Sequence, residues 1–410
     1  MDFYFPDSQD QVDPNFDFIE EEHLPFHVRQ RDDHYVHEAL RTIPFHGVLV
    51  SKGIVDGVGG SSGRYTVAQR HRIYRVGIHQ FFRLPRRVKA LGDCGAFSYV
   101  TEEEPPISPR DAVEFYEGCG FDAGISVDHV ILGYRSRPQP SLLPEDVPPE
   151  WVARQAITLQ YAQEFLDSHR VNGCRFQPVG AAQGWDPNSY AESVQALQAM
   201  GYTRIAMGGM VPLKTSQVLE VLEAVNEVRN PATELHLLGI TRTAHLAGFA
   251  GFGVTSFDST SPFRQAFMDD RDNYYWRGRT FTAIRVPPVG GNAKLKRLIK
   301  SGAVDQNEAL RLEARSLAGL RALDRGEAAD IDGVLEVLAA YHALFDQRDR
   351  VEEYRDTLES RPWRDCDCGI CERDGIEVAI FRGTERNKRR GFHNVHVFSQ
   401  ELNQRLAAVA

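Results

Sequence analysis

The chain has 410 residues, of which 42% are hydrophobic and 25% are charged, a balance typical of a globular protein rather than a disordered, collagen-like or coiled-coil chain. Its 47 Lys and Arg residues against 57 Asp and Glu residues give a net charge of −10, which excludes attraction to nucleic acid by bulk positive charge. No apolar stretch approaches the roughly 18 residues of a membrane span, and the N-terminus lacks the pattern of a secretion signal, so we expect a cytoplasmic protein without a membrane partner.

Short apolar or β-branched runs alternate with amphipathic helical patterns along most of the chain. Eight of these runs predict strands, and helices are predicted between them, for example at residues 109–117, 189–200 and 215–228. Strands that alternate with helices in this number are typical of a (β/α)8 TIM barrel, so we predict an α/β fold of this type. The predicted strands are residues 47–50, 88–91, 124–127, 175–179, 204–207, 235–238, 254–257 and 281–286.

Polar residues follow several predicted strands, at the end of a barrel where active sites lie. Asp93, Asp128 and Asp258 come after the second, third and seventh strands. One such Asp most often caps a helix or a turn, but three favour a shared acidic pocket that supplies both a nucleophile and an acid/base. Gln183 follows the fourth strand, and Gly208-Gly209 follows the fifth, where we expect a ligand to approach the backbone closely.

Three of the six cysteines lie close together near the C-terminus. Cys366, Cys368 and Cys371 form a C-x-C-x-x-C run, and His393 downstream completes a Cys3His set suited to tetrahedral Zn²⁺. His396 is a competing fourth ligand. Three metal-free thiols are the alternative, disfavoured because clustered exposed thiols oxidise readily. Four protein ligands leave no open position, so we predict a structural zinc ion.

The composition divides the chain into three predicted parts. Residues 1–302 form the barrel with an N-terminal extension, and residues 303–360, rich in Ala, Leu, Glu and Arg, form a helical insertion. Residues 361–410 form a zinc-binding subdomain with a closing helix. Basic runs at residues 277–279, 294–300 and 382–390 are either solvated faces or docking sites for a polyanion.

These pieces resemble the tRNA-guanine transglycosylase family, zinc-containing TIM barrels that exchange a guanine base in a nucleic acid for a 7-deazaguanine. The resemblance begins at about Gly47 and continues to the C-terminus, and the helical insertion departs from it. The matching pieces, in the order of the family, are Asp93-Cys94-Gly95-Ala96-Phe97, Asp128, Gln183-Gly184, Gly208-Gly209-Met210, Phe257-Asp258-Ser259 and the set Cys366, Cys368, Cys371 and His393.

Within that family, the chain resembles the branch that inserts 7-deazaguanine derivatives into DNA. The resemblance lies in the opening Phe5-Pro6-Asp7-Ser8-Gln9-Asp10 with Asp13-Pro14, and in residues 124–129. Departures from the tRNA enzymes agree: Cys94 and Ala96 replace Ser and Gly, and Trp185 stands where a second Gly is usual. DNA is therefore favoured over tRNA as the nucleic-acid partner.

The resemblance implies a role for each matching residue. Asp258 is the nucleophile that attacks the sugar, and Asp93 is the acid/base that assists departure of guanine and deprotonates the incoming 7-deazaguanine, a base similar to preQ0. Asp128 and Gln183 read the base edge, and the backbone near Gly208, Gly209 and Met210 contacts the purine.

Other functions remain open on the sequence alone. The first alternative is the same base exchange on tRNA, and the second is a non-catalytic, zinc-stapled nucleic-acid-binding subunit. A metal-dependent hydrolase is disfavoured because His46 stands alone where such a barrel carries an H-x-H pair. Partner proteins that open the duplex, and a homodimer, are also left open.

Overall fold

The computed structural model describes residues 1–7, 9–58, 63–136, 147–327, 330–346 and 348–408. Contacts between residues divide the chain into two compact units. Unit 1 comprises Met1–Gln9, Phe45–Thr260 and Arg405–Ala410, and unit 2 comprises Asp10–Pro44 and Ser261–Gln404. The boundaries expected at residues 302 and 360 stay predictions.

Unit 1 holds a closed barrel of parallel strands, which confirms the predicted fold class. Apolar side chains from successive strands, among them Leu49, Leu91, Ile125 and Val179, pack together as its core. The barrel strands are β1 (Asp2–Pro6), β2 (Gly47–Ser51), β3 (Lys89–Asp93), β4 (Ala123–Ile125), β5 (Gln177–Ala182), β6 (Arg204–Met207), β7 (Glu234–Leu237) and β8 (Val254–Asp258).

One of the eight predicted barrel strands is wrong. Residues 281–286 belong to unit 2, where Arg279–Phe281 pairs with Tyr274–Trp276 and Ile284–Arg285 pairs with Ile380–Phe381. Strand β1 takes the eighth place in the barrel, since it pairs with β8 on one side and with β2 on the other. The run Phe3-Tyr4-Phe5 is made of aromatic residues that favour strands. Pro6 is tolerated because the pairing of β1 with β8 ends at Tyr4 and the N–H of Asp7 makes the next hydrogen bond to β2.

Side-chain caps set the starts of helices that follow the barrel strands. Ser108 accepts a hydrogen bond from the backbone N–H of Asp111, and Asp186 does the same for Ser189, each just before a proline that opens the helix. The helices of unit 1 are Lys52–Asp56, Val67–Val76, Ile78–Phe81, Pro109–Cys119, Pro149–Val171, Pro187–Met200, Thr215–Val228 and Thr243–Ala250.

Unit 2 is mainly helical. Three of its helices fall within residues 303–360, as the composition predicted, and Gly326 ends the first of them in a left-handed conformation with φ +71°. Its helices are Val36–Ala39, Ser261–Met268, Ala293–Lys300, Gln306–Arg325, Ile331–Ala343, Val351–Ser360, Ile370–Asp374 and Gly383–Ala407, and Gln11–Val12 pairs with His34–Tyr35 as a short ribbon.

Candidate active site and metal centre

Three aspartates stand at or beyond the carboxyl ends of three barrel strands. Asp93 ends β3, Asp258 ends β8, and Asp128 lies in the loop after β4. Asp128 and Asp258 are buried, and Asp93 is partly exposed. Because the strands are parallel, their carboxyl ends lie at one mouth of the barrel, so the structure brings the three carboxyl groups to the same end.

The surroundings of Asp93 favour its neutral form. Desolvation raises the pKa of Asp93 to about 7, and the negative charges of Asp128 and Asp258 act in the same direction. A hydrogen bond of 2.5 Å from Ser51 Oγ to Asp93 Oδ2 opposes this shift. With a pKa near neutrality, Asp93 can both give and take a proton.

Asp258 is held through one of its two carboxylate oxygens. The backbone N–H of Gly239 donates to Asp258 Oδ1 over 3.0 Å, and His236 Nε2 lies 3.2 Å from the same oxygen. For Oδ2, the described residues show no hydrogen bond. This arrangement leaves Oδ2 as the oxygen with its lone pairs available for attack on a substrate.

Asp128 sits in a pocket of hydrogen-bond donors. Its Oδ1 accepts from the Cys94 thiol over 3.1 Å, and its Oδ2 accepts from Gln183 Nε2 over 2.6 Å. Burial raises the pKa of Asp128, and the hydrogen bonds from Cys94 and Gln183 act against that shift. Burial also raises the pKa of the Cys94 thiol, so Cys94 acts as a hydrogen-bond donor here rather than as a thiolate.

The paired glycines Gly208 and Gly209 lie beside the Gln183 side chain. A Cβ on Gly208 would lie 2.1 Å from Gln183 Nε2, and one on Gly209 would lie 2.5 Å from the carbonyl oxygen of Ile131. Gly209 also has φ +70°, a conformation that favours glycine. The glycines therefore make room for the Gln183 amide, which accepts from the Ile131 N–H and donates to Asp128, while the neighbouring Met210 is fully buried.

Two residues of this site were not identified from the sequence. Ser51 ends β2, one residue past the predicted strand, and His236 lies inside β7. In β7 the neighbours of His236 are the apolar Leu235 and Leu237. A histidine between two leucines in a buried barrel strand is the signal that could have identified it.

The four predicted metal ligands come together in unit 2. Cys366, Cys368, Cys371 and His393 are all buried and form a group that could hold a metal ion. The distances from His393 Nδ1 to the sulfur atoms are 3.4, 3.8 and 3.2 Å for Cys366, Cys368 and Cys371. These separations are close to those between ligand atoms around a tetrahedral ion with bonds of about 2.0 to 2.3 Å.

Surrounding groups orient the His393 ring. Its Nε2 lies 2.6 Å from the carbonyl oxygen of Tyr275 and donates to it, which leaves the Nδ1 lone pair directed at the sulfur atoms. The ring of Tyr274 stacks on His393 with centroids 4.3 Å apart. The competing ligand His396 instead lies with its Nε2 3.5 Å from Asp367, so the geometry favours His393.

The basic run at residues 382–390 is mostly buried, which contradicts its interpretation as a docking site. Arg386 is paired with Glu21 and Glu377 at 2.7 and 2.6 Å, and Arg382 is paired with Glu21 and Glu313. Arg390 is fully buried and donates to backbone carbonyls. These guanidinium groups form ion pairs and hydrogen bonds within unit 2.

The other large basic run is exposed. Lys294, Lys296, Arg297 and Lys300 lie on the helix Ala293–Lys300, whose buried side chain is Leu295. The run at residues 277–279 is also exposed. Of the three basic runs, these two therefore carry the exposed positive charge.

The helices of the described residues include none with the length and apolar character needed to cross a membrane.

No protein-family model matches the chain. Relatives among curated proteins are more informative. A DNA-guanine transglycosylase from Salmonella montevideo is 48% identical over 410 residues, which cover 99% of this chain and 97% of the relative.

Two further relatives match about half of the chain. A queuine tRNA-ribosyltransferase from Xanthomonas axonopodis pv. citri (strain 306) is 26% identical over 238 residues, 54% of this chain and 58% of the relative. A tRNA-guanine(15) transglycosylase from Pyrococcus abyssi (strain GE5 / Orsay) is 25% identical over 207 residues, 49% of this chain and 32% of the relative. The resemblance drawn from the sequence is thus confirmed, and the chain belongs to the guanine transglycosylase family of glycosyltransferases.

Proposed function

We propose that the protein exchanges guanine in DNA for a 7-deazaguanine derivative similar to preQ0, by double displacement through a covalent glycosyl bond to Asp258. The observation that carries the proposal is one barrel mouth that holds both Asp258, fixed through Oδ1, and Asp93, whose pKa is about 7. The name and the 48% identity of the Salmonella relative support DNA as the substrate.

In the first half-reaction, Asp258 Oδ2 attacks C1′ of the target nucleotide. The bond from C1′ to the guanine N9 breaks, and its electron pair leaves with the base. Protonated Asp93 gives a proton to the departing guanine. The sugar is then bound covalently to Asp258, and Asp93 is a carboxylate.

In the second half-reaction, the Asp93 carboxylate takes the N9 proton of the incoming 7-deazaguanine. The freed N9 electron pair attacks C1′, and the ester bond to Asp258 breaks. Two inversions at C1′ give net retention, as in retaining glycoside hydrolysis. An acid/base with a pKa of about 7 has both of its forms populated at neutral pH, which suits its use in opposite directions.

In this proposal Asp128 and Gln183 recognise the base. The Asp128 carboxylate can accept from both the N1–H and the N2–H of guanine, and the Gln183 amide, hydrogen-bonded to Asp128, keeps it in place. The backbone amides of Gly209 and Met210 would contact the purine carbonyl.

A base in a duplex must first be extruded at a cost of a few kcal/mol. Phe97, exposed on the turn after Asp93, offers a ring on which a base can stack.

Zinc is the metal that we propose for the Cys3His group. Three thiolates and one imidazole are typical ligands of tetrahedral Zn²⁺, and burial of all four closes the site to substrate. The role of the ion is structural: it would join the segment that carries Cys366, Cys368 and Cys371 to the long helix that carries His393.

Exchange on tRNA is the second candidate, because two of the relatives are named for tRNA substrates. A purely binding role is disfavoured, since it would not require the acidic site. Nucleoside mass spectrometry of DNA and tRNA tests both candidates, in cells that supply the 7-deazaguanine and express either the wild type or Asp258→Ala. We expect the modified deoxynucleoside in DNA with the wild type only. Modification of tRNA alone would establish the second candidate, and modification of neither would contradict base exchange.

A further inference from the structure

A chain of buried polar side chains runs inside the barrel and ends at Asp258. Arg204 on β6 donates from Nη2 to Ser256 Oγ on β8 over 3.0 Å. Ser256 Oγ lies 2.8 Å from His236 Nδ1 on β7, and His236 Nε2 lies 3.2 Å from Asp258 Oδ1. The three side chains before Asp258 are all buried. Ser256 and Asp258 are two residues apart in β8, so both face the same side of the strand.

The direction of donation along this chain follows from Arg204. A guanidinium has only donors, so Ser256 Oγ must accept from it. The Ser256 hydroxyl hydrogen then needs an acceptor, and among the described residues only His236 Nδ1 lies within reach as one. An Nδ1 that accepts leaves the imidazole hydrogen on Nε2, which points at Asp258 Oδ1.

The opposite tautomer of His236 would be unfavourable towards both Ser256 and Asp258. With a hydrogen on Nδ1, the Ser256 hydroxyl would receive two donors and keep an unsatisfied hydrogen, and the Nε2 lone pair would face a carboxylate lone pair at 3.2 Å. Unsatisfied buried polar groups cost about 1 to 3 kcal/mol each. Burial lowers the pKa of His236 although the Asp258 carboxylate acts the other way, so the neutral ring is favoured.

We propose that His236 is a positioning residue: its Nε2–H, set by Arg204 and Ser256, holds Oδ1 of Asp258 so that Oδ2 faces the substrate. This inference rests on the proposed role of Asp258 as the nucleophile. The Gly239 N–H shares the task, because it donates to the same oxygen. A carboxylate released from these donors would rotate, and misplacement by about 1 Å can cost on the order of 10²-fold in rate.

Two substitutions of His236 separate positioning from mere packing. The amide nitrogen of Gln reaches the place of the imidazole Nε2, whereas that of Asn reaches only the place of Nδ1. We expect His236→Gln to form the covalent DNA adduct, with the incoming base withheld, at a rate within about threefold of the wild type. His236→Asn should be slower by roughly 10 to 10²-fold at saturating DNA, with the Kd for DNA unchanged. Equal rates for both variants, or equal losses in both, would overturn the proposal.

A spectroscopic measurement tests the tautomer of His236 directly, without any enzyme turnover. Long-range proton–nitrogen NMR spectra of protein labelled with ¹⁵N-histidine report which ring nitrogen carries the hydrogen, and the signal lost in His236→Gln identifies His236. We expect the Nε2–H tautomer in the wild type and a mixture in Ser256→Ala. An Nδ1–H tautomer in the wild type would overturn the proposal. If the tautomer is as expected but the wild type forms no adduct, the proposed role of Asp258 fails instead.

Discussion

At the scale of single residues, the raised pKa that suits Asp93 to acid/base chemistry also makes the stability of the fold depend on pH. Its pKa is 3.8 in the unfolded chain and about 7 in the folded one, mainly because of desolvation. The folded protein therefore holds a proton that the unfolded chain releases between these pH values. The raised pKa destabilises the fold at pH above 7, and this cost disappears as the pH falls towards 4.

Asp93→Asn should therefore stabilise the protein at alkaline pH. We expect its free energy of unfolding at pH 8.5 to exceed that of the wild type by a few kcal/mol, at about 1.4 kcal/mol per pKa unit, and the difference to vanish near pH 4. Urea denaturation at a series of pH values measures this difference. Asp167→Asn, at an exposed position on the helix Pro149–Val171, is the matched control for an Asp-to-Asn change. A difference that does not depend on pH would contradict the account.

The residues of the site differ in how far the sequence predicted them. Asp93, Asp128 and Asp258 could be found because each follows an apolar run, and in a barrel those positions meet at one mouth. His236 could not be assigned in this way, because its role depends on a hydrogen-bond partner in another strand. The contact beside Gly208 could not be predicted for a similar reason: the group that fills the space there, Gln183, comes from a different strand end.

At the scale of elements, the Cys3His group joins two segments that are distant in the chain, so its loss should unfold a local region. We expect the wild type to hold one Zn²⁺ per chain, and Cys368→Ser to lose the metal and the protection of the helix Ile370–Asp374 from hydrogen exchange. Cys174→Ser, away from the group, is the control. His393→Ala should have a larger effect than His396→Ala. Metal content unchanged in Cys368→Ser would refute the site.

Substitutions in the two basic runs should differ in their effect on stability, because the arginines at residues 382–390 are buried and the run at residues 294–300 is exposed. Arg386→Gln breaks the ion pairs from Arg386 to Glu21 and Glu377, and these two glutamates keep Arg382 and Arg321 as their remaining partners. We therefore expect urea denaturation to show a loss of about 1 to 3 kcal/mol of unfolding free energy, less than the loss when a buried charge keeps no partner. Arg297→Gln, on the exposed helix Ala293–Lys300, should change stability by less than about 0.5 kcal/mol.

The variant Arg297→Gln also tests DNA binding. Each phosphate contact contributes about 0.9 to the slope of log affinity against log salt concentration, so Arg297→Gln should reduce that slope if Arg297 contacts a phosphate. Binding titrations at several salt concentrations between about 50 and 200 mM measure this slope. An unchanged slope for Arg297→Gln would remove this helix from the proposed DNA interface.

The barrel strands show where element prediction succeeds and where it fails. Seven runs were found because a strand in a parallel barrel is buried on both faces and is therefore continuously apolar. Strand β1 was missed because it lies at the N-terminus and ends at Pro6, so its local pattern did not distinguish it from an N-terminal extension. Residues 281–286 have the same local pattern and do form ladders, but in unit 2. Only pairing across the chain distinguishes the two segments.

At the scale of the whole molecule, a net charge of −10 and a nucleic-acid substrate are compatible because the charges are unevenly placed. Many of the arginines near the C-terminus are paired with carboxylates inside unit 2, while the basic runs at residues 277–279 and 294–300 are exposed. The acidic barrel mouth in turn tunes Asp93 through the charges of Asp128 and Asp258. The proposed contacts with DNA and the proposed chemistry would thus involve different charged groups.

In the proposed mechanism Asp258 is the nucleophile and Asp93 is the acid/base, and trapping of the covalent intermediate tests these two roles most directly. Labelled guanine-containing DNA is incubated with each variant without the incoming base, and the adduct is resolved on a denaturing gel and confirmed by intact mass. We expect an adduct with the wild type, none with Asp258→Ala, and a reduced but detectable adduct with Asp93→Ala, whose exchange rate should fall by roughly 10² to 10⁴. An adduct that persists in Asp258→Ala, or that is lost only in Asp93→Ala, would contradict the mechanism.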